Sequence, residues 1–227
     1  MYKKIFLNSG NAGKVKEFLR HDLSCDVSVL PDGAIEVVED GETFRDNAVK
    51  KARAASLAYG AQFPHAVFAG EDSGLVVDAL GGAPGVYSAR FSACSLSEEN
   101  RLTLSNRETP EKGIELDSAN NRYLLEILNS RGLFSRHGDG VPARYEVALA
   151  ICAPDGEILT VIEGKCSVLV VEEWKDGRGF GYDWIVRHEE LGHFGEIADK
   201  DKDKVSHRGE CIRGLTAWIA TRRDLFG

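Results

Sequence analysis

Residues 5–19 run without interruption from the apolar Ile5-Phe6-Leu7 through Ser9-Gly10-Asn11-Ala12-Gly13-Lys14 into Val15, Phe18 and Leu19 at helical spacing. That order predicts a strand, a glycine turn and a helix, with the turn at a helix N-terminus. A second helix is expected from Thr43 to near Gly60. Thr43 and Asp46 have capping-box spacing, and Phe44, Ala48, Ala52 and Ala55 form one apolar stripe. Residues 66–69 and 75–80 are short apolar runs beside glycines, which predicts buried strand segments on either side of a Glu71-Asp72-Ser73-Gly74 turn.

Further along, residues 96–104 and 121–131 read as helices, the second stopped by Gly132, while the polar stretch 106–119 reads as a loop or insertion. Residues 144–153, 158–163 and 167–172 read as three strands, the first two joined by Pro154-Asp155-Gly156. A helix over 210–222 closes the chain. No repeat or linker divides it, so one domain over 1–227 is expected.

Charge and cysteines narrow the function. A net charge of −8 argues against non-specific nucleic-acid binding, which needs a broad basic surface. A few lysines and a divalent metal can still hold a polyanion in one acidic protein. The five cysteines are widely spaced with no C-x-x-C pair, which suits a reducing cytoplasm better than a disulfide framework or a zinc site. Polar Asn8, Ser9 and Asn11 follow the first apolar run too soon for a signal segment or membrane span.

Four segments carry chemistry. Free amides at the first helix N-terminus, with Lys14 beside them, can cradle phosphate. The segment lacks the glycine and hydroxyl positions of a Walker A loop, so an ordinary strand-to-helix turn remains open. Adjacent Glu71 and Asp72 can position magnesium, and one of them can take a proton from an attacking water; a solvated turn capped by Asp72 is the alternative. Ser73 can donate to a phosphate oxygen. Glu39 and Glu42 can add a carboxylate, or simply favour the dipole of the second helix. Lys51 flanks that helix's apolar stripe and can reach inward or lie along the edge. In Asp199-Lys200-Asp201-Lys202-Asp203-Lys204, an extended backbone would put the lysines on one side, whereas a helix or loose loop would make a solvated mixture. His207 and Arg208 supply planar donors suited to a base.

Taken together, Ser9–Lys14, Thr43-Phe44-Arg45-Asp46-Asn47-Ala48, Asp72-Ser73-Gly74-Leu75, the block Gly81-Gly82-Ala83-Pro84-Gly85-Val86-Tyr87-Ser88-Ala89-Arg90, Phe180-Gly181-Tyr182-Asp183 and Ser206-His207-Arg208-Gly209 resemble the inosine triphosphate pyrophosphatase family. The motifs occur in the family's order and span nearly the whole chain. The resemblance implies an α/β fold, an elongated mixed sheet flanked by helices, with two lobes and a nucleotide cleft between them. It implies hydrolysis of ITP, dITP or XTP to monophosphate and pyrophosphate, cleansing the nucleotide pool, with magnesium, as a cytoplasmic homodimer without nucleic-acid or membrane partners.

By position, the resemblance makes Asp72 the general base and a metal ligand, joined at the metal by Glu39 and Glu71. It gives Ser9, Gly10, Asn11, Ala12, Gly13, Lys14, Lys51 and Ser73 to substrate phosphate and Phe180, Gly181, Tyr182 and Asp183 to the base pocket. Lys202, His207 and Arg208 complete substrate binding. Departures from the family pattern are Glu71 for an aspartate, Trp184 for a proline, Val168 for a glycine, and Asp203 with Val205 before Ser206. They leave a pyrophosphatase for another modified nucleotide, or a silent nucleotide-binding regulator, as alternatives.

Overall fold

A computed structural model describes residues 1–23, 25–105, 108–111 and 113–226. Seven strands form one mixed sheet in the order β2-β1-β3-β6-β7-β8-β9: β1 (Lys4–Asn8), β2 (Asp26–Val29), β3 (Ala66–Val77), β6 (Val141–Cys152), β7 (Ile158–Val170), β8 (Val186–His188) and β9 (Gly192–His193). Strand β1 pairs in parallel with β2 and β3, whereas β7–β8 and β8–β9 are antiparallel. β4 (Cys94–Leu96) and β5 (Leu102–Leu104) pair separately. The helices are α1 (Ala12–Leu19), α2 (Phe44–Tyr59), α3 (Gly113–Ser130), α4 (Leu133–His137), α5 (Asp199–Val205), α6 (His207–Thr221) and α7 (Arg223–Phe226). The α/β class with helices flanking a mixed sheet is as the resemblance implied. Among the described residues no helix is long and apolar enough to cross a membrane.

Two compact units share the chain: Met1–Ser73 with Val147–Lys165 and Asp203–Gly227, and Gly74–Glu146 with Cys166–Lys202. In the first, strand alternation sends Ile5, Leu7, Val67 and Ala69 into a core with Phe18 of α1 and Cys211 of α6. Phe6 and Phe68 point the other way and stack, centroids 5.9 Å apart. In the second, Leu75, Val77, Phe91, Leu124, Leu128 and Phe194 belong to a separate core.

The first two helices form as expected. Asn11 caps α1, and Thr43 and Asp46 make the reciprocal capping box of α2. Elsewhere tertiary contacts overrule the local pattern. The expected 71–74 turn is instead the middle of one twelve-residue strand, β3. Its glycines serve close approach rather than turning. A Cβ on Gly70 would lie 2.3 Å from the Ala48 carbonyl oxygen of α2, and one on Gly74 would lie 2.2 Å from Ser88 Oγ.

Residues 96–104 are a β4–β5 hairpin, not a helix. Ser97 Oγ accepts from Arg101 N, Asn100 adopts φ +62, and Arg131 grips Asn100 Oδ1 and the Ser97 carbonyl. Such side-chain bonds compete directly with helix formation. Within 106–119, residues 113–119 are the first part of α3, while Asn106, Arg107 and Lys112 lie outside the described residues. The three strands expected over 144–172 are two long ones. Gly164 does not break β7 but admits α6, since a Cβ there would meet the His207 carbonyl oxygen at 2.2 Å. Residues 199–205 are helical, so the lysines do not share one side, and the last long helix begins at His207, capped by Ser206.

Candidate functional site

Strand periodicity in β3 sends Asp72 to one face and Glu71 and Ser73 to the other, so the adjacent acids enter different environments. Asp72 is 5% exposed. Its Oδ2 accepts from Asn47 Nδ2 at 3.0 Å and its Oδ1 from Lys51 Nζ at 3.2 Å. Asn47 and Lys51 are one turn apart on α2 and therefore share a helix face. Lys51 Nζ also donates to the Glu71 carbonyl at 3.2 Å and pairs with Glu39 Oε2 at 2.9 Å. Two carboxylates thus converge on one ammonium.

The segment bearing Glu39 is tied to the same elements. Asn8, at the end of β1, accepts from Ile35 N at 2.8 Å and donates to the Lys51 carbonyl at 3.0 Å. Asn47 Oδ1 accepts from Gly41 N at 2.8 Å. Burial pushes the Asp72 carboxyl above its ordinary range and the Glu39 charge adds to this, against opposition from Lys51, Lys14 and Asn47. Burial alone would lower the Lys51 ammonium, but Asp72 and Glu39 more than offset it and hold it raised.

On the opposite face, Glu71 is 2% exposed and Arg208 3%. Arg208 Nη2 donates to Glu71 Oε1 and to Ser73 Oγ, each at 2.9 Å, and Nη1 pairs with Glu17 of α1. Lys14 Nζ meets Glu71 Oε2 at 2.7 Å. Arg208 is the second residue of α6, anchored where Ser206 Oγ accepts from Gly209 N at 3.0 Å. A Cβ on Gly209 would strike the Asp203 carbonyl oxygen at 1.8 Å, so only glycine fits there.

Burial raises Glu71, yet Lys14 and Arg208 outweigh it and hold the carboxyl well below the carboxylate range. Its folded value is therefore below the unfolded one. The pairing stabilises fully above about pH 4.3, and that contribution is lost as pH falls through the folded value. The stability gap between wild type and Glu71→Gln should accordingly narrow below about pH 4.3 in thermal melts. A gap of constant size from neutral pH to pH 3 would refute the pairing.

The second unit holds another constellation. Lys202 Nζ donates to Asp183 Oδ2 at 2.6 Å and lies 5.4 Å from the Phe180 ring centroid and 5.7 Å from that of Phe194. Asp183 Oδ2 also accepts from Phe180 N at 3.1 Å, and Oδ1 from Tyr145 OH at 3.2 Å. Tyr182 OH donates to the Ser88 carbonyl at 2.9 Å. Burial, then Asp183, push the Tyr145 phenol up, so it stays a neutral donor. Trp184 is buried with its ring 5.8 Å from Trp174.

The family model that matches residues 5–218 is that of the Ham1 family. The chain belongs to the Ham1 family. A dITP/XTP pyrophosphatase of Synechococcus sp. (strain CC9311) is 39% identical over 213 residues, covering 92% of this chain and 85% of the relative. One of Desulforamulus reducens is 38% identical over 220 residues, 92% of each. The solved Staphylococcus aureus Ham1 protein matches with TM-score 0.72 and 28% identity, over 97% of this chain and all of that one. A dITP/XTP pyrophosphatase from Mycobacterium abscessus matches with TM-score 0.62 and 31% identity, over 95% and 98%.

Within this Ham1-family chain the expected residues fall into separate groups. Asp72, Lys51 and Glu39 meet directly. Glu71, Lys14, Ser73 and Arg208 form the second group, with Glu71 turned away from Asp72 and Glu39. Ser9, Gly10 and Ala12 line an open groove of about 540 Å³ with Val15 and Leu19, and Asn11 and Gly13 lie in the same turn. Phe180, Gly181, Tyr182, Asp183 and Lys202 form the third group. His207 is buried at the first position of α6. Sequence reading assigned no role to Asn47, Glu17, Asn8 or Tyr145. Asn47 had one available signal, its i, i+4 spacing to Lys51.

Proposed function

We propose that this chain hydrolyses non-canonical purine nucleoside triphosphates, dITP, ITP and XTP, to the monophosphate and pyrophosphate. The observation that carries the reading is the convergence of Asp72 and Glu39 on Lys51 in a chain 38–39% identical to proteins named dITP/XTP pyrophosphatases. The Lys51 ammonium stands where a cation is shared by two carboxylates. Magnesium is commonly held by one or two carboxylates, with water and substrate phosphates completing its coordination. Asp72 and Glu39 would hold the ion, while Glu71 is already paired with Lys14 and Arg208. When bound, magnesium lowers the pKa of nearby water and neutralises phosphate charge.

In this reading Asp72 accepts a proton from the water that attacks the α-phosphorus, and the bond from that phosphorus to the bridging oxygen breaks, releasing pyrophosphate. The raised proton affinity of Asp72 suits a base better than an ordinary surface carboxylate would. Lys51 steers the carboxylate and offers charge to phosphate, and the α1 N-terminus offers its positive dipole end, although Lys14 N already donates to Asn11 Oδ1 and Asn11 N to Ser9 Oγ. Phe180 offers a ring face to the base. Donors at the purine 6-oxo position, with His207 a candidate, would be left unpaired by an adenine amino group, which is the basis of selection. A cytoplasmic homodimer is part of the same proposal and rests on the family resemblance.

The test is pyrophosphate release from inosine, xanthosine, guanosine, adenosine and thymidine triphosphates, with magnesium and with chelator. Metal-dependent turnover favouring the inosine and xanthosine forms by at least about a hundredfold is expected. Equal turnover of all five would shift the reading to a general nucleotide hydrolase. Binding without product would leave a silent nucleotide binder.

A further inference from the structure

The polar stretch before residue 120, which the motifs do not explain, carries a side chain aimed at the Phe180–Asp183 turn. Gly181 N donates to Asp117 Oδ2 at 2.8 Å, and Gly181 O accepts from Asn121 Nδ2 at 2.8 Å. Asp117 and Asn121 are four residues apart on α3 and so present one face of that helix. Both polar atoms of one glycine are therefore gripped by side chains from a single helical turn. Gly181 needs such a grip, because it sits in the left-handed region at φ +63, where glycine itself has ready alternatives.

We propose that Asp117 and Asn121 are positioning residues for base selection: their clamp on Gly181 fixes the turn that presents Phe180 and Asp183. The inference rests on the nucleotide-hydrolase reading and deepens it. The helix that carries the clamp is itself anchored. Asn120 Oδ1 accepts from Ser92 N at 2.8 Å and its Nδ2 donates to the Ala89 carbonyl at 3.3 Å. Asn120 thus holds α3 against the 85–93 segment, and the same segment receives the Tyr182 hydroxyl at Ser88 O. On the other side of Gly181, Phe180 N is fixed by Asp183, whose carboxylate in turn takes Lys202 and Tyr145. The turn has rigid supports at Asp183 and at Tyr182. Gly181 between them is held by Asp117 and Asn121. Releasing it would free the φ/ψ of the residue that joins Phe180 to the rest of the turn, and the ring would lose its set direction.

Asp117→Ala removes an acceptor from a half-buried amide, while Asp117→Asn keeps an acceptor oxygen at the same reach. Hydrogen exchange at the Gly181 amide should quicken by about tenfold or more in Asp117→Ala and return near wild type in Asp117→Asn. The ratio of kcat/KM for xanthosine over adenosine triphosphate should fall by about tenfold in Asp117→Ala and recover to within about threefold in Asp117→Asn. A mere loss of folded protein would lower both substrates alike and leave the ratio where it was. An unchanged ratio in Asp117→Ala, or an equal loss in both variants, overturns the clamp. If the wild type turns over no nucleotide, the hydrolase reading fails by itself, and unchanged Gly181 exchange in Asp117→Ala would still overturn the clamp.

Discussion

Replacing Asp72 by asparagine is expected to lower kcat by about 10²- to 10⁴-fold, the range typical of a lost general base, while the protein stays folded. The substitution keeps shape and removes charge. Asn47 Nδ2 can still donate to the new carbonyl oxygen; the new amide NH2 then faces Lys51 Nζ and that hydrogen bond is lost, but Lys51 retains Glu39 at 2.9 Å, so no buried cation is stranded. Burial already disfavours the charged form of Asp72, and a neutral amide in its place should shift Tm by only a few degrees. The decisive measurement pairs single-turnover pyrophosphate release with a thermal melt. Retention of kcat within about threefold would remove Asp72 from the proton-accepting role. A large fall in Tm together with kcat would make its contribution architectural. Glu39→Gln provides the comparison, since it touches the same ammonium but lies outside the proton-accepting role. It should raise the magnesium requirement more than it lowers kcat at saturating metal.

How much of this was legible in the sequence depended on whether local rules or distant contacts decided each segment. The α1 turn and the capping box of Thr43 and Asp46 are local, and both formed where the residue pattern put them. The continuity of β3 was not local. Glu71, Asp72 and Ser73 look like a solvated turn because nothing nearby in sequence neutralises two acids. Their partners Lys51, Asn47, Lys14 and Arg208 come from three different helices. Residues 113–119 looked irregular for a related reason. Asp117, Asn120 and Asn121 are polar because each is spent on a backbone group elsewhere in the second unit, not because they face water. The glycines misled in the opposite sense. Gly70 and Gly74 read as flanking a turn, but they lie inside a strand where another element comes too close for a Cβ, as Gly164 does inside β7. For the site, motif order identified the participants. It could not show that alternation along one strand would separate Glu71 from Asp72, because turn and strand give adjacent residues different facings.

Removing Arg208 is expected to cost about 3–5 kcal/mol, the usual result of breaking a buried ion pair from one side. At about 2–4 °C per kcal/mol for a chain of this size, Tm should drop by roughly 10 °C. The reason lies in what Arg208→Ala leaves behind. Glu17 and Glu71 are both buried, and each loses the guanidinium that spans them, although Lys14 still pairs with Glu71. Ser73 loses its donor as well. Arg208→Lys should not rescue, because a compact ammonium cannot reproduce a planar fork that serves Glu17, Glu71 and Ser73 at once. The diagnostic variant removes the guanidinium and both carboxylates, Arg208→Met with Glu17→Gln and Glu71→Gln, while the less deeply buried Lys14 keeps its charge. If the cost of Arg208→Ala is mainly stranded carboxylate charge, this triple variant should regain most of the lost Tm, whereas additive effects would lower it further. A Tm change under about 2 °C in Arg208→Ala, with KM for nucleotide raised tenfold or more, would instead make Arg208 chiefly a substrate contact. The pairing with Glu17 and Glu71 would then describe only its resting position.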